Sequence, residues 1–176
     1  MRAAPAGVYY YKEPDKAAEP VAVSVDLPIE ASIPVEYIDS DKLRLEAYRK
    51  LAAARSESDL EALREELTDR YGKPPEQFDA LFDVARIKFK ARKMGVSEII
   101  AQSNRVRIGR IDPAESVRMR MSRIYRGFQY RPVTHQLIVP APFAGSLGAK
   151  PMTGDQIVLW VNQLLDDLAW TPKPRR

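Results

Sequence analysis

The chain has 176 residues, 45% hydrophobic and 30% charged, with a net charge of +4. That profile excludes intrinsic disorder and leaves enough apolar mass for a buried core. No apolar run reaches the roughly 18 residues of a membrane span, and nothing reads as a leader; the absence of cysteine excludes disulfides, thiolate nucleophiles and zinc–cysteine sites and fits a cytoplasmic protein.

Residues 1–20 follow neither helical nor strand periodicity and read as a tail or linker; 21–170 read as one domain and 171–176 as a tail. Val21–Val25 alternates and is β-branched, so a short strand is predicted. Pro28 and Pro34 then forbid a helix and imply an extended segment on the surface or along a sheet edge.

A first helix is predicted near Asp39, with Asp39 or Ser40 as its cap and a stripe of Leu43, Ala47, Leu51 and Ala54. Arg44, Arg49 and Lys50 fall outside that stripe. Ser56-Glu57-Ser58-Asp59 resembles a capping box with Asp in place of Glu and opens a second helix, buried along Leu60, Leu63, Leu67 and Tyr71. Glu57, Glu61, Glu65 and Asp69 line much of its opposite side. Gly72 suits a left-handed stop, and Pro75 is preset as a first helical residue. The third helix, Pro75 to Met94, carries Phe78, Leu81, Phe82, Ala85 and Phe89 on its apolar face and ends at Gly95. Tyr37, Tyr48 and Tyr71 are expected to pack with their hydroxyls at the rim.

From Ser97 the pattern changes to strands. Ser97–Ala101 and Arg105–Ile111 form a predicted hairpin across Gln102-Ser103-Asn104, and Gln136–Val139 is a further strand. Asp112-Pro113 reads as a cap and first position of a helix over Ala114–Tyr125, with Val117, Met121 and either Ile124 or Tyr125 inward. A Gly/Pro/Ala loop spans Pro140 to Pro151. Thr153-Gly154-Asp155-Gln156 is a capping box for a last amphipathic helix with Ile157, Trp160, Val161, Leu164 and Leu168 as its stripe. The expected fold is a single α+β domain: an N-terminal three-helix layer, short and mostly antiparallel strands, and a C-terminal amphipathic helix. Strand order does not follow from the sequence.

Charge is segregated. Residues 84–131 hold 13 Lys/Arg against Glu98, Asp112 and Glu115, a local +10 that leaves −6 for the remainder. Arg118, Arg120, Arg123 and Arg126 follow one another along the fourth helix; they suit a patch for a DNA duplex backbone or an acidic partner, ion pairs within the fold, or a solvated face. Few aromatics interleave them, so a stacking surface for single strands is not indicated.

Nothing points to catalysis or to a cofactor. No Gly-x-x-x-x-Gly-Lys-Ser/Thr or Gly-x-Gly-x-x-Gly is present, and Gly145, Gly148 and Gly154 are too irregular for a phosphate loop. His135, the single histidine, follows Pro132 in a strand-like stretch with no clustered carboxylate. Glu65-Glu66 and Asp166-Asp167 are adjacent pairs, which on a helix point about 100° apart and cannot work as an acid/base couple.

Four phrases in fixed order carry a resemblance: DLPIEASIP at 26–34, RLEAYRKLAAA at 44–54, EELTDRYGKPPE at 65–76 and ARIKFKARKMGV at 85–96. Together they resemble the C-terminal domain of bacterial transcription-repair coupling factors. The match is dense from Asp26 to Val96 and thins to the placement of elements beyond, where VRMRMSRIYRGFQY at 117–130 is similar to a basic helix leading into a Gly-containing turn and strand. The resemblance implies a domain without chemistry of its own, attached to an ATP-dependent DNA translocase that displaces stalled RNA polymerase and recruits nucleotide-excision repair. It further implies that the helix of the Glu-Leu-x-Asp-Arg-Tyr-Gly motif packs on an N-terminal UvrB-like module of the same protein, competing with UvrA. On that match Glu66 and Asp69 are the acidic contacts. Helix capping, solubility or a Glu66–Arg70 ion pair accounts for the same residues without a partner. No membrane contact is expected.

Overall fold

Ser40 opens the first helix, α1 (Asp41–Ala53), by accepting the Leu43 N–H on its side chain at 3.4 Å. The computed structural model describes residues 22–102, 104–142, 150 and 152–172. Ser56 caps α2 (Glu57–Tyr71) through the Asp59 N–H, and the Asp59 carboxylate accepts the Arg55 N–H at 2.9 Å. The Arg55 backbone N–H, followed by the Ser56 side chain beside the carboxyl, holds Asp59 below its ordinary range. The stop at Gly72 takes φ 84° and ψ −169°, a backbone region essentially confined to glycine.

Pro75 departs from the expectation. It lies just outside α3 (Glu76–Lys93) with ψ 166°, and its carbonyl accepts the Phe78 N–H. It therefore acts as the cap, and Glu76 is the first helical residue. At the other end Gly95, at φ 74°, closes a Schellman motif, with Val96 N–H on Ala91 O and Gly95 N–H on Arg92 O.

α3 is buried on two sides, whereas its sequence showed one. Phe78, Phe82, Ala85 and Phe89 join Ala47, Leu51, Leu60, Leu63, Leu67, Ile33 and Ile38 in a helical core. Ile87 and Ala91 face a second core, built on the sheet. A helix wedged between two layers needs two apolar stripes, and α3 is that wedge.

The sheet contains β1 (Ser24–Asp26), β2 (Glu98–Gln102), β3 (Arg105–Gly109), β4 (Gln129–Arg131) and β5 (Gln136–Pro140), in the order β1-β2-β3-β5-β4. Three of its pairings are antiparallel, and β1 runs parallel to β2 with Val25 opposite Ile99. A parallel pair requires a crossover, and here α1, α2 and α3 together form it. The predicted hairpin is β2–β3, with Gln102 opposite Arg105 and Asn104 at φ 62°. Residue 21 of the expected first strand, Ser103, and most of the 140–151 loop (143–149 and 151) lie outside the described residues, as do the 1–20 and most of the 171–176 tails.

Two further expectations are corrected. α4 spans Glu115–Ile124 with Ala114 as its cap, not Asp112. Ile111 N–H is still bound to His135 O, so the chain cannot leave the sheet in time for Asp112 to start a helix; its carboxylate accepts the Tyr130 hydroxyl instead. His135 sits in the β4–β5 turn at φ 51°, exposed, and not in a strand. Between the alternatives for the inward residue, Tyr125 is buried and Ile124 is exposed.

α5 (Gly154–Leu168) has both bonds of the capping box, Gln156 N–H to Thr153 Oγ1 and Thr153 N–H to Gln156 Oε1. Its buried stripe is Val158, Val161, Leu164, Leu165 and Leu168, with Ile157 and Trp160 half-buried at its edge. α3, α4 and α5 contribute the helical side of the sheet core. No helix among the described residues is long and apolar enough to cross a membrane.

Candidate functional site

The face where α1 meets α2 carries Glu66, one of the two acidic residues singled out above. Burying Leu60, Leu63 and Leu67 turns Glu61, Glu65 and Asp69 to solvent and leaves Glu66 at the helix boundary. One carboxylate oxygen of Glu66 accepts from Lys50 Nζ of α1 at 2.6 Å and from Arg70 of its own helix at 3.4 Å. Lys50 also lies 3.6 Å from Glu46. The hydrogen bond from Lys50, more than its bare charge, holds the Glu66 carboxyl below the ordinary carboxylate range. Asp69 is exposed and belongs to none of the ion pairs among the described residues.

Beside the Lys50–Glu66 bridge runs an open groove of about 410 Å³, lined by Ala53, Ala54, Asp59, Ala62 and Leu63. The layer beneath is braced by tyrosines. The Tyr37 hydroxyl lies 2.8 Å from Gly72 O and 3.1 Å from Leu67 O at the end of α2, and burial raises its pKa. Tyr48 accepts the Ile33 N–H while its ring stays at the surface. Tyr71 is half-buried against Tyr37. Sequence reasoning placed Lys50 on the outside of α1 and missed that it bridges to α2.

Arg118, Arg120 and Arg123 of α4, and Arg126 just beyond its end, have different surroundings. Arg118 stacks over the Tyr130 ring at 5.1 Å. Arg120 donates to the Asp167 backbone carbonyl at 3.2 Å and to its carboxylate at 3.4 Å, and lies over Trp170. Arg123 and Arg126 are exposed. Elsewhere in 84–131, Arg86 pairs with Glu57 and Asp83, Lys90 with Asp166 and Arg107 with Glu98, while Arg92 donates to Ala52 O. Four of the 13 cations in that stretch, Arg86, Lys90, Arg107 and Arg120, are therefore paired with carboxylates of the domain, and Arg92 with a carbonyl, among the described residues.

Asp167 also accepts the Tyr125 hydroxyl at 2.6 Å, and burial followed by that bond pushes the phenol well above its usual range. The Arg120–Asp167–Tyr125 cluster ties α4 to the end of α5. No sequence signal marked it, since its partners are more than 40 residues apart. Among the described residues no group of three His, Cys, Asp or Glu is placed to hold a metal ion.

The TRCF domain family model matches residues 27–121. The transcription-repair-coupling factors of Mycobacterium bovis and Mycobacterium tuberculosis are each 42% identical over 158 residues, which is 89% of this chain and 13% of theirs. That of Escherichia coli is 33% identical over 75 residues, 43% of this chain. The chain thus spans about an eighth of the length of these mycobacterial relatives. A crystal structure of the C-terminal domain of a transcription-repair coupling factor superposes with a TM-score of 0.68 at 18% identity, covering 84% of this chain and 92% of that one, so the two share a fold.

Proposed function

Since this chain belongs to the TRCF domain family, we propose that it is the C-terminal regulatory module of a coupling factor and works by occupying a surface, not by catalysis. The parent is an ATP-dependent translocase on double-stranded DNA that acts in the cytoplasm on stalled RNA polymerase and recruits nucleotide-excision repair. At rest the module covers the UvrA-binding surface of the parent's N-terminal UvrB-like region, and it lets go when the motor engages polymerase and DNA. The module itself uses no cofactor.

The observation that carries this reading is the acidic edge of α2, where Glu66 is about 39% exposed and Asp69 is exposed three residues on. Asp69 presents its charge outward, and Glu66 keeps one carboxylate oxygen beyond its bonds to Lys50 and Arg70, on a helix buried along Leu60, Leu63 and Leu67. A releasable contact has to be modest, on the order of a few kcal/mol, so that a ligand favouring the open state can shift the population. A polar interface centred on accessible charges meets that requirement better than an apolar one.

The test uses the whole parent protein carrying Glu66→Gln together with Asp69→Asn. Opening the clamp raises its resting affinity for UvrA by about tenfold, if the two contacts are each worth about 0.7 kcal/mol. Unchanged UvrA binding by the double variant, with ATPase activity intact, removes these residues as the latch.

A further inference from the structure

We propose that Lys50 is a built-in competitor for Glu66, and that it sets how tightly the acidic edge of α2 holds a basic partner. The inference rests on the reading above, in which Glu66 meets cationic groups of the UvrB-like region.

Lys50 and Glu66 come from different helices and are joined by a 2.6 Å bond, yet their side chains are about equally open, at 40% and 39% exposure. Both are therefore reachable by a partner. Lys50 and Arg70 bind the same carboxylate oxygen, and the other oxygen accepts no hydrogen bond among the described residues. An incoming guanidinium has either to displace the Lys50 ammonium or to settle beside it against its charge. In both cases Lys50 opposes the contact.

Displacement is easy, because Glu46 offers Lys50 a second carboxylate one turn back on its own helix, 3.6 Å away. Lys50 thus has two resting places, one on α2 and one on α1. The groove supplies the approach. Lys50 and Glu66 line it together with the apolar side chains of Ala53, Ala54, Ala62 and Leu63. A long basic side chain laid along those apolar side chains covers its aliphatic stem and brings its head to the bridge. The domain therefore weakens its own latch, which keeps it releasable.

The experiment compares single variants in the parent protein by measuring UvrA affinity at rest. Lys50→Met keeps the stem and removes the charge. It tightens the clamp and lowers UvrA affinity by about three- to tenfold at low salt, with the effect shrinking at about 0.5 M salt. Lys50→Arg retains the cation and gives no tightening. Glu66→Gln moves UvrA affinity in the opposite direction and abolishes the effect of Lys50→Met in the double variant. A purely structural role for the bridge would move both single variants the same way, since either one breaks it. If Glu66→Gln raises UvrA affinity while Lys50→Met changes nothing, the competitor role is wrong and the latch stands. If neither variant changes it, latch and competitor fall together.

Discussion

Removing the Asp167 side chain should cost far more than an ordinary surface charge. In Asp167→Ala, Tyr125, which is 9% exposed, loses the only hydrogen-bond acceptor its hydroxyl has among the described residues. Arg120 keeps the backbone carbonyl of residue 167 but loses the carboxylate. An orphaned, largely buried hydroxyl costs about 1–3 kcal/mol. The Arg120–Asp167 pair is long, at 3.4 Å, and its side chains are 31% and 15% exposed, so it adds on the order of 0.5 kcal/mol. The sum is about 1.5–3.5 kcal/mol. For a domain of this size that lowers Tm by about 3–14 °C, readable by circular dichroism with urea melts as a check. Tyr125→Phe should cost less, about 1 kcal/mol, because it leaves no unpaired donor. The two variants should be non-additive in a double-mutant cycle. The same bond has a pH signature. The folded-state pKa of Tyr125 is raised, so its contribution is complete below the ordinary phenol range near pH 10 and is lost as pH rises above it. Tyr125→Phe should therefore flatten the alkaline loss of stability. An Asp167→Ala protein within about 0.5 kcal/mol of the parent would refute the reasoning, because it would mean that solvent reaches the hydroxyl freely.

Gly154→Ala poses two rules against each other. Alanine is favoured over glycine inside a helix by about 1 kcal/mol, but a Cβ here would stand 2.1 Å from the Pro28 carbonyl oxygen. Backbone has to move, so the variant should be less stable by about 1–3 kcal/mol in urea unfolding; equal or greater stability would show that the Pro28 segment yields. For the basic stretch, the internal partners of Arg86, Lys90, Arg92, Arg107 and Arg120 predict no mobility shift of duplex DNA by micromolar chain at about 0.15 M salt. A tight, steeply salt-dependent shift would instead establish residues 84–131 as a phosphate-reading surface.

The local signals in this chain were short-range and survived folding. Ser40, Ser56 and Thr153 cap the helices they precede, because a cap is decided within three or four residues. Leu60, Leu63 and Leu67 are buried as their spacing requires, and β2 and β3 pair across a two-residue connection. Where a local rule failed, a distant bond had overruled it. Asp112 looked like a cap, but the tie from Ile111 to His135 keeps the chain on the sheet and delivers that carboxylate to Tyr130.

The tertiary structure alone decided what lies between elements. The parallel β1–β2 pairing, the second buried side of α3 at Ile87 and Ala91, and the placement of Lys50 on Glu66 and of Tyr125 on Asp167 each join residues tens of positions apart or on different elements. A lysine that solvates freely and one that bridges two helices are written with the same letter. Only the packing of one apolar stripe on another determines which of the two it becomes.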